Sequence, residues 1–358
     1  MSDSLVRFGL IGFGSYGKHH AWSIDQTDGA ELSAIAVRSP QTKKAAEETY
    51  PDLEVVEDWR KLLQRDDIDV IDVVAPNYLH FEMAEAALKA GKHVLIEKPM
   101  SLSIPEAKRL LNLSKEYSSA VIAIGHEMRV HPVWAKIKQL IQERRIGRPL
   151  YASIELSRLP LLEGSTGWRY DPIQVGNWIL EEPIHFFDLA QWYLEELGKP
   201  ESVYAFANSR RIYQAELQDN FTATVRFPHH GFAVITQSVA SFGHNINCKI
   251  TGTEGSIIAY WKAKDSEQSE AEYGLTYSQG DTIEEVEFES DPGEWIELRR
   301  QMSAIVKAVH GKSSPPASVQ DGYQAVSLCL AAQDSISTGE VVSIHKFLQS
   351  PIRPPVDF

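Results

Sequence analysis

Only two cysteines, Cys248 and Cys329, occur among the 358 residues. That is too few for a disulfide framework or a thiolate metal cluster, and it suits a reducing compartment such as the cytosol. Positive charge is also scarce: 35 Lys and Arg against 49 Asp and Glu leave a net charge of −14. Such a surface repels nucleic acid and anionic membrane unless a local basic patch overrides it, and no run of the chain supplies one. Long apolar runs are missing as well. The apolar stretch 8–13 is short, is broken by Gly9 and Gly12, and has no charged leader before it. No window approaches the roughly 20 apolar residues of a membrane helix. These absences predict a soluble, cytoplasmic protein. What is present is an average globular composition, 43% hydrophobic and 23% charged, able to bury a core. At roughly 100–200 residues per domain, the length makes two domains the first expectation.

The first third alternates short apolar runs with helical periodicity, the pattern of stacked βαβ units. Strands are predicted at 7–11, 32–37, 70–74, 93–96 and 120–124, with helices at 17–25, 42–50, 59–64, 81–90 and 104–117. Runs as apolar as Val70-Ile71-Asp72-Val73-Val74 and His93-Val94-Leu95-Ile96 fit strands buried on both faces of a doubly wound sheet. After Ile146-Gly147-Arg148-Pro149 the texture changes to longer strand candidates, at 150–157, 202–211, 220–227, 232–240, 246–251 and 256–261. The stretches His229-His230-Gly231 and Gly252-Thr253-Glu254-Gly255 read as hairpin turns. Helices are expected at 175–196, 295–310 and 322–338. The acidic run 283–289 reads as a solvated strand face, 313–316 as a linker and 351–355 as an extended tail. The expectation is an α/β N-terminal Rossmann domain, residues 1–125, plus an α+β C-terminal domain, residues 126–346, with a large, mostly antiparallel open sheet. A tail covers 347–358.

Gly12-Phe13-Gly14-Ser15-Tyr16-Gly17 follows a predicted strand and opens a predicted helix. Gly12 permits the tight turn, Gly14 lets the backbone approach a pyrophosphate, and Gly17 lets the helix pack on the strand. The helix N-terminus adds amide donors and a positive dipole. At the end of the second strand, where a carboxylate would bind the adenosine ribose, stand Val37-Arg38-Ser39. Arg38 and Ser39 suit a 2′-phosphate, while Arg38 stacked on adenine leaves NAD acceptable. The cofactor is NAD or NADP, with NADP slightly favoured.

The fourth predicted strand ends in Glu97-Lys98-Pro99, and a later helix carries Glu181-Glu182-Pro183-Ile184-His185. Together with the glycine turn and Ala75-Pro76-Asn77-Tyr78-Leu79-His80, this resembles the glucose–fructose oxidoreductase, inositol dehydrogenase and rhizopine-catabolism (Gfo/Idh/MocA) family. The resemblance spans nearly the whole chain and is strongest from Pro76 to Pro99. It implies a reversible NAD(P)-linked oxidation of a sugar or polyol hydroxyl, and a homodimer or homotetramer built through the C-terminal sheet. It further implies that Pro76, Asn77, His80 and Glu97 border the cofactor with Lys98. Asn77 has a second reading, as cap of the helix from Phe81.

Oxidising a carbinol removes hydride from carbon and a proton from oxygen, so a base must lie within reach of the hydroxyl. Lys98 at the carboxyl end of a parallel strand is the candidate, its pKa lowered by partial burial beside a positively charged nicotinamide. On a continuous helix Glu181 and His185, four residues apart, share a face. In the family the pair is Asp and His, the acid orienting an imidazole that protonates or hydrogen-bonds the reacting oxygen. Here the acid is one methylene longer, and Pro183 between the two bends the helix and puts Glu181 in question. Asp188 lies one turn further along.

For substrate contacts the sequence offers Arg129, Trp168, Arg169 and Tyr170 beside Lys98, Glu181 and His185. Arg129 reads equally as a salt-bridge partner. Residues 159–176 read as a long loop in which Trp168 and Tyr170 either face a sugar ring or anchor the loop. His19 and His20 lack ligand-spaced carboxylates or cysteines and read as structural, so no metal is expected. Beside the dehydrogenase stand two other readings: a redox-assisted glycosidase that borrows hydride from bound NAD, and a non-catalytic dinucleotide-binding ligand sensor.

Overall fold

The structure is a computed structural model and describes residues 4–210, 214, 216–241, 243–263, 271–288 and 293–350. The expected tail at 351–355, the end of the predicted strand at Arg211 and the end of the acidic run at Glu289 lie outside the described residues. The chain forms two compact units and passes between them more than once. The first unit holds the chain up to Val130, then Glu163–Val175 and Glu294–Tyr323, and the second holds His131–Leu162, Gly176–Gly293 and the chain from Gln324 onward. A single boundary near residue 126 therefore lies close to the first change-over but misses two returns. Both returns are contacts between residues far apart in sequence, which local pattern does not encode.

In the first unit six parallel strands, β1 (Val6–Ile11), β2 (Ala30–Ala36), β3 (Glu54–Val56), β4 (Val70–Val73), β5 (His93–Glu97) and β6 (Ile122–Gly125), form one sheet. Its order is β3-β2-β1-β4-β5-β6, the doubly wound arrangement whose ligands sit outside the carboxyl strand ends. The connecting helices are α1 (Ser15–Asp25), α2 (Pro40–Thr49), α3 (Arg60–Leu63), α4 (His80–Lys89) and α5 (Ile104–Glu116). Ser39 caps α2 and Ser103 caps α5, each accepting a backbone N–H of the first turn, with proline inside that turn of both helices. Phe8, Leu10, Ile35, Val70 and Leu95 form the core with Ile24 of α1 and with Met302 and Ile305 from the returning segment.

The second unit opens with α6 (Pro132–Gln142) and β7 (Pro149–Arg158). The chain then returns to the first unit as a 3-10 turn, Ser165–Tyr170, and α7 (Pro172–Val175). Back in the second unit follow α8 (Trp178–Glu181), α9 (Pro183–Tyr193), β8 (Ser202–Asn208), β9 (Asn220–Arg226), β10 (Phe232–Ser238), β11 (His244–Gly252), β12 (Gly255–Ala263), β13 (Glu272–Gln279) and β14 (Thr282–Glu285). The last elements are α10 (Glu294–Val309) in the first unit, α11 (Val319–Thr338), β15 (Val342–Ser343) and α12 (Ile344–Gln349). The nine strands form one sheet in the order β14-β13-β12-β11-β7-β10-β9-β8-β15. Among the described residues only the β7–β10 pair of this sheet is parallel. The predicted α+β half with a mostly antiparallel sheet is thus present. Helices α6 and α9 pack on strands of this sheet, while Phe206, Ile258 and Tyr260 are exposed. His229 and His230 join β9 to β10 with φ of 58° and 64°. Positive φ at both central residues is what a tight hairpin turn requires.

Two sequence expectations change. The helix expected over 175–196 is broken, because Asn177 caps α8 through Leu180 N–H and Pro183 occupies the first turn of α9. Between them Glu182 has φ −122° and ψ −59°, so Pro183 starts a helix rather than bending one. The loop expected over 159–176 contains the 3-10 turn and α7, the latter started by Asp171, whose carboxylate accepts the Ile173 N–H at 3.0 Å. Among the described residues no helix is long and apolar enough to cross a membrane.

Candidate active site

The glycine turn between β1 and α1 fits a phosphate. Gly12 has φ +110°, and a Cβ there would lie 2.0 Å from the Val74 carbonyl oxygen. A Cβ at Gly17 would lie 2.3 Å from the Gly12 carbonyl oxygen, so both positions exclude any side chain. At Gly14 an added Cβ would meet nothing within 4 Å: this is open space that a bulkier residue would fill. The first turn of α1 has no acidic residue and no capping side chain, which leaves the positive end of the helix dipole to an anion. Ser15 is exposed and Tyr16 half-buried beside this turn. Phe13 is 2% exposed and packs on Tyr50, so only its main chain faces the cradle. These residues fit a dinucleotide.

After β2, Arg38 is exposed and reaches the Tyr78 hydroxyl at 3.4 Å. Ser39 Oγ accepts the Thr42 N–H at 3.1 Å, so the hydroxyl already serves as the cap of α2. After β4 come Pro76 and Asn77. Asn77 opens a 3-10 turn and its amide donates to the Val175 carbonyl at 3.3 Å, which ties α7 to this strand end. Helix α4 begins at His80, with Leu79 as its N-cap residue.

Strand β5 ends at Glu97, and Lys98 follows half-buried at the same carboxyl edge as the glycine turn. The Glu97 carboxylate accepts the Lys98 N–H at 3.2 Å. Its other oxygen lies 3.2 Å from His20 Nε2, and His20 Nδ1 donates to Asp72 at 2.8 Å. Burial alone would lower His20, yet the facing carboxylates, Asp72 foremost, push it up to about 10. Burial lifts Asp72 above the usual carboxylate range, and the excess proton of the pair sits on the imidazole. Sequence reasoning placed His20 as structural but missed both partners. The available signal was Asp72, a lone charge inside an otherwise apolar strand.

Arg129 pairs with Asp321 at 3.1 Å and donates to the Pro316 carbonyl at 3.1 Å, contacts of the kind its salt-bridge reading expects. Burial raises Asp321, and Arg129 with Ser318 outweighs this and holds the carboxyl below its usual range. Trp168 is buried against Gly164, where a Cβ would lie 2.5 Å from the indole nitrogen. Arg169 stacks over the Trp168 ring at 4.7 Å, and Tyr170 is half-buried. Trp168 thus packs against its own segment at Gly164.

In the second unit Glu181 is the last residue of α8 and His185 lies in the first turn of α9, both buried, with Asp188 one turn on and also buried. The premise that one continuous helix carries Glu181 and His185 fails at Glu182. Glu182 forms an ion pair with Arg158 at the end of β7. Beside that pair His244 is pushed down to about 4 by desolvation and by the Arg158 charge, with Glu182 opposing. Sequence reasoning missed Arg158 and His244, which carry no motif, and gave Glu182 no role although it lies in the Glu181–His185 stretch. Among the described residues no group of three or more His, Cys, Asp or Glu side chains is arranged to hold a metal ion.

A glycine cradle and a lysine on one edge of a parallel sheet, joined in the chain to an antiparallel-sheet unit, fit the class of dinucleotide-dependent proteins. The description "Oxidoreductase family, NAD-binding Rossmann fold" matches residues 6–126, and "GFO/IDH/MocA C-terminal domain" matches residues 134–258. The chain belongs to the Gfo/Idh/MocA oxidoreductase family. It is 25% identical to the 1,5-anhydro-D-fructose reductase of Ensifer adhaerens, covering 95% of this chain and 98% of that one. It is 27% identical to the myo-inositol 2-dehydrogenase of Thermotoga maritima, over 96% of this chain and all of the other. A levoglucosan dehydrogenase solved with NADH and levoglucosan superposes with a TM-score of 0.79 at 23% identity, covering 95% of this chain and 100% of that one. These relatives support an NAD(P)-dependent oxidoreductase and lend nothing to the glycosidase or sensor readings.

Proposed function

We propose that this protein moves hydride reversibly between a nicotinamide cofactor and a ring hydroxyl or ketone of a cyclic polyol, anhydro-sugar or sugar, with Lys98 and His185 sharing the proton of that oxygen. One observation carries the reading: the half-buried Lys98 and the open cradle at Gly14 lie on the same carboxyl edge of one parallel sheet. The main chain at Gly12–Gly17 and the first turn of α1 would hold the pyrophosphate. Pro76, Asn77, His80 and Glu97 shape the adjoining strand ends. The cofactor supplies the hydride acceptor or donor.

In the oxidative direction neutral Lys98 takes the hydroxyl proton and becomes an ammonium while the carbinol carbon gives up hydride, leaving a carbonyl. His185 donates a hydrogen bond to the same oxygen and stabilises the negative charge that grows on it as the proton leaves, and Glu181 supports the imidazole. Arg169 and Tyr170 are the candidate sugar contacts, with Trp168 as their anchor. Arg129 belongs to the scaffold, given its pairing with Asp321.

NADP is slightly favoured over NAD, because Arg38 and Ser39 replace a carboxylate after β2. The protein works in the cytoplasm as a homodimer or homotetramer through the open sheet face, a reading supported by the exposed Phe206, Ile258 and Tyr260. Sedimentation of the purified protein as a monomer would remove the oligomer from the account.

The test is spectrophotometric. Purified protein is mixed with NAD or NADP and myo-inositol or levoglucosan, and with NADH or NADPH and 1,5-anhydro-D-fructose. Reduced-nicotinamide absorbance rises in the first arm or falls in the second, and Lys98→Met abolishes the change. Full activity in Lys98→Met would refute the proton-transfer role.

A further inference from the structure

A lysine stem has four flexible carbons, so the reach of its amine depends on where the main chain anchors it. Near-attack geometry is demanding: a displacement of about 1 Å costs on the order of a hundredfold in rate. Around Lys98 two buried side chains, from separate elements, hold the main chain on either side. On the N-terminal side the Glu97 carboxylate accepts the Lys98 N–H at 3.2 Å. That carboxylate is itself fixed: His20 Nε2 lies 3.2 Å from its second oxygen and is held by Asp72 at 2.8 Å. His20 and Asp72 are fully buried and Glu97 is 4% exposed. Gly125, paired with Glu97 across β5 and β6, makes the room, since a Cβ there would lie 2.2 Å from Glu97 Oε1.

On the C-terminal side His80 Nδ1 donates to the Pro99 carbonyl at 2.7 Å, and Nε2 donates to the Ala75 carbonyl at 2.6 Å. Both neighbours are pure acceptors, so both contacts are attractive only when each ring nitrogen carries a proton. The same imidazole therefore links the turn after β4 to the residue that follows Lys98.

We infer that Glu97 and His80 are positioning residues for Lys98, gripping the main chain immediately before and after it, with His20 and Asp72 bracing the Glu97 carboxylate. The inference rests on the proton-transfer reading of Lys98 given above. Neither residue touches the reacting atoms in this role; each limits the drift of the lysine anchor while cofactor and substrate enter and leave.

The test uses selective 15N-lysine labelling of the whole protein, the Lys98 amide resonance being assigned by its loss in Lys98→Arg. In Glu97→Gln the side-chain oxygen can still accept the Lys98 N–H, and its NH2 can donate to neutral His20, so shape and bonding survive while the charge goes. The Lys98 amide, no longer bonded to a carboxylate, should move upfield and exchange faster with solvent. On the fastest compound of the substrate panel kcat should fall about tenfold or more, with the cofactor KM and the NADH dissociation constant within about threefold. His80→Leu, which removes the donor, should lose about tenfold in kcat, and His80→Gln, whose amide can donate to Pro99, should recover to within about threefold of the parent. An unmoved Lys98 resonance in Glu97→Gln, or equal kcat in His80→Leu and His80→Gln, would overturn the inference. Should His80→Leu not fold, the Glu97→Gln resonance decides alone. Retained activity in Lys98→Met would sink the parent reading whatever the grips do. Its loss beside silent Glu97 and His80 variants would sink only the inference.

Discussion

The two units treat histidine in opposite ways. In the first, His20 is fully buried yet pushed up to about 10, because Asp72 and Glu97 face it from the sheet. In the second, half-buried His244 is pushed down to about 4, because desolvation is joined by the Arg158 guanidinium. Burial is unfavourable to the charged ring in both, so the sign of the neighbouring charge decides. The first unit thereby carries a fixed cation beneath the carboxyl edge of its parallel sheet, while the second keeps a neutral imidazole beside the Arg158–Glu182 pair at the end of β7. The first uses main-chain geometry and buried charge to build a rigid platform, and the second places its acid and imidazole by two short helices joined at Glu182.

This contrast can be broken most sharply at Lys98. Lys98→Met should lower kcat about a thousandfold, within the range of general acid–base catalysis, and leave NADH fluorescence titrations within a few-fold of the parent. Lost NADH binding would instead make Lys98 a cofactor ligand. Next in size is Gly12→Ala. Its Cβ would lie 2.0 Å from the Val74 carbonyl at a φ of +110°, so dinucleotide affinity measured by calorimetry should drop about a hundredfold. An unchanged affinity would remove the turn from the cofactor site.

Ser39→Asp should shift the ratio of NADP to NAD affinity about tenfold toward NAD, by placing a carboxylate where a 2′-phosphate would bind. A constant ratio would move the choice of cofactor away from α2. The smallest effect concerns His244. Its folded value lies below the ordinary histidine value of about 6.5, so the unfolded chain takes up the proton first and stability is lost as pH falls from there toward about 4. His244→Gln should make urea unfolding less sensitive to acid over that window by about 1 kcal/mol, an unchanged slope being the contrary result. His20 has the opposite sign: its contribution is complete below about 6.5 and is lost as pH rises through about 10.

The first unit was legible because its strands are short apolar runs and its glycines answer to backbone geometry. Strand β3 was missed: three residues at a sheet edge, with Glu54 exposed, make too short a run to register. Strand β13 was missed as well, since Glu272–Gln279 is a polar strand with few buried positions next to the sheet edge. The acidic face at Thr282–Glu285 is exposed throughout, in keeping with a solvated strand. Periodicity ran on through 175–196 because the residues that stop it, Asn177 and Pro183, were weighed as part of a helix rather than as its start signals. The partners of His20 lie 52 and 77 positions away, at Asp72 and Glu97, and Arg129 meets Asp321 from the other end of the chain. Such pairings follow from sheet order, which a linear pattern does not contain.

The central claim is that Lys98 and His185 serve one oxygen. A double-mutant cycle on kcat with Lys98→Met, His185→Gln and the pair measures it directly. Groups that share one proton transfer act as a unit, so the double variant should be no slower than the worse single variant, to within about threefold. If the two losses multiply, the residues act independently and the shared proton transfer is contradicted.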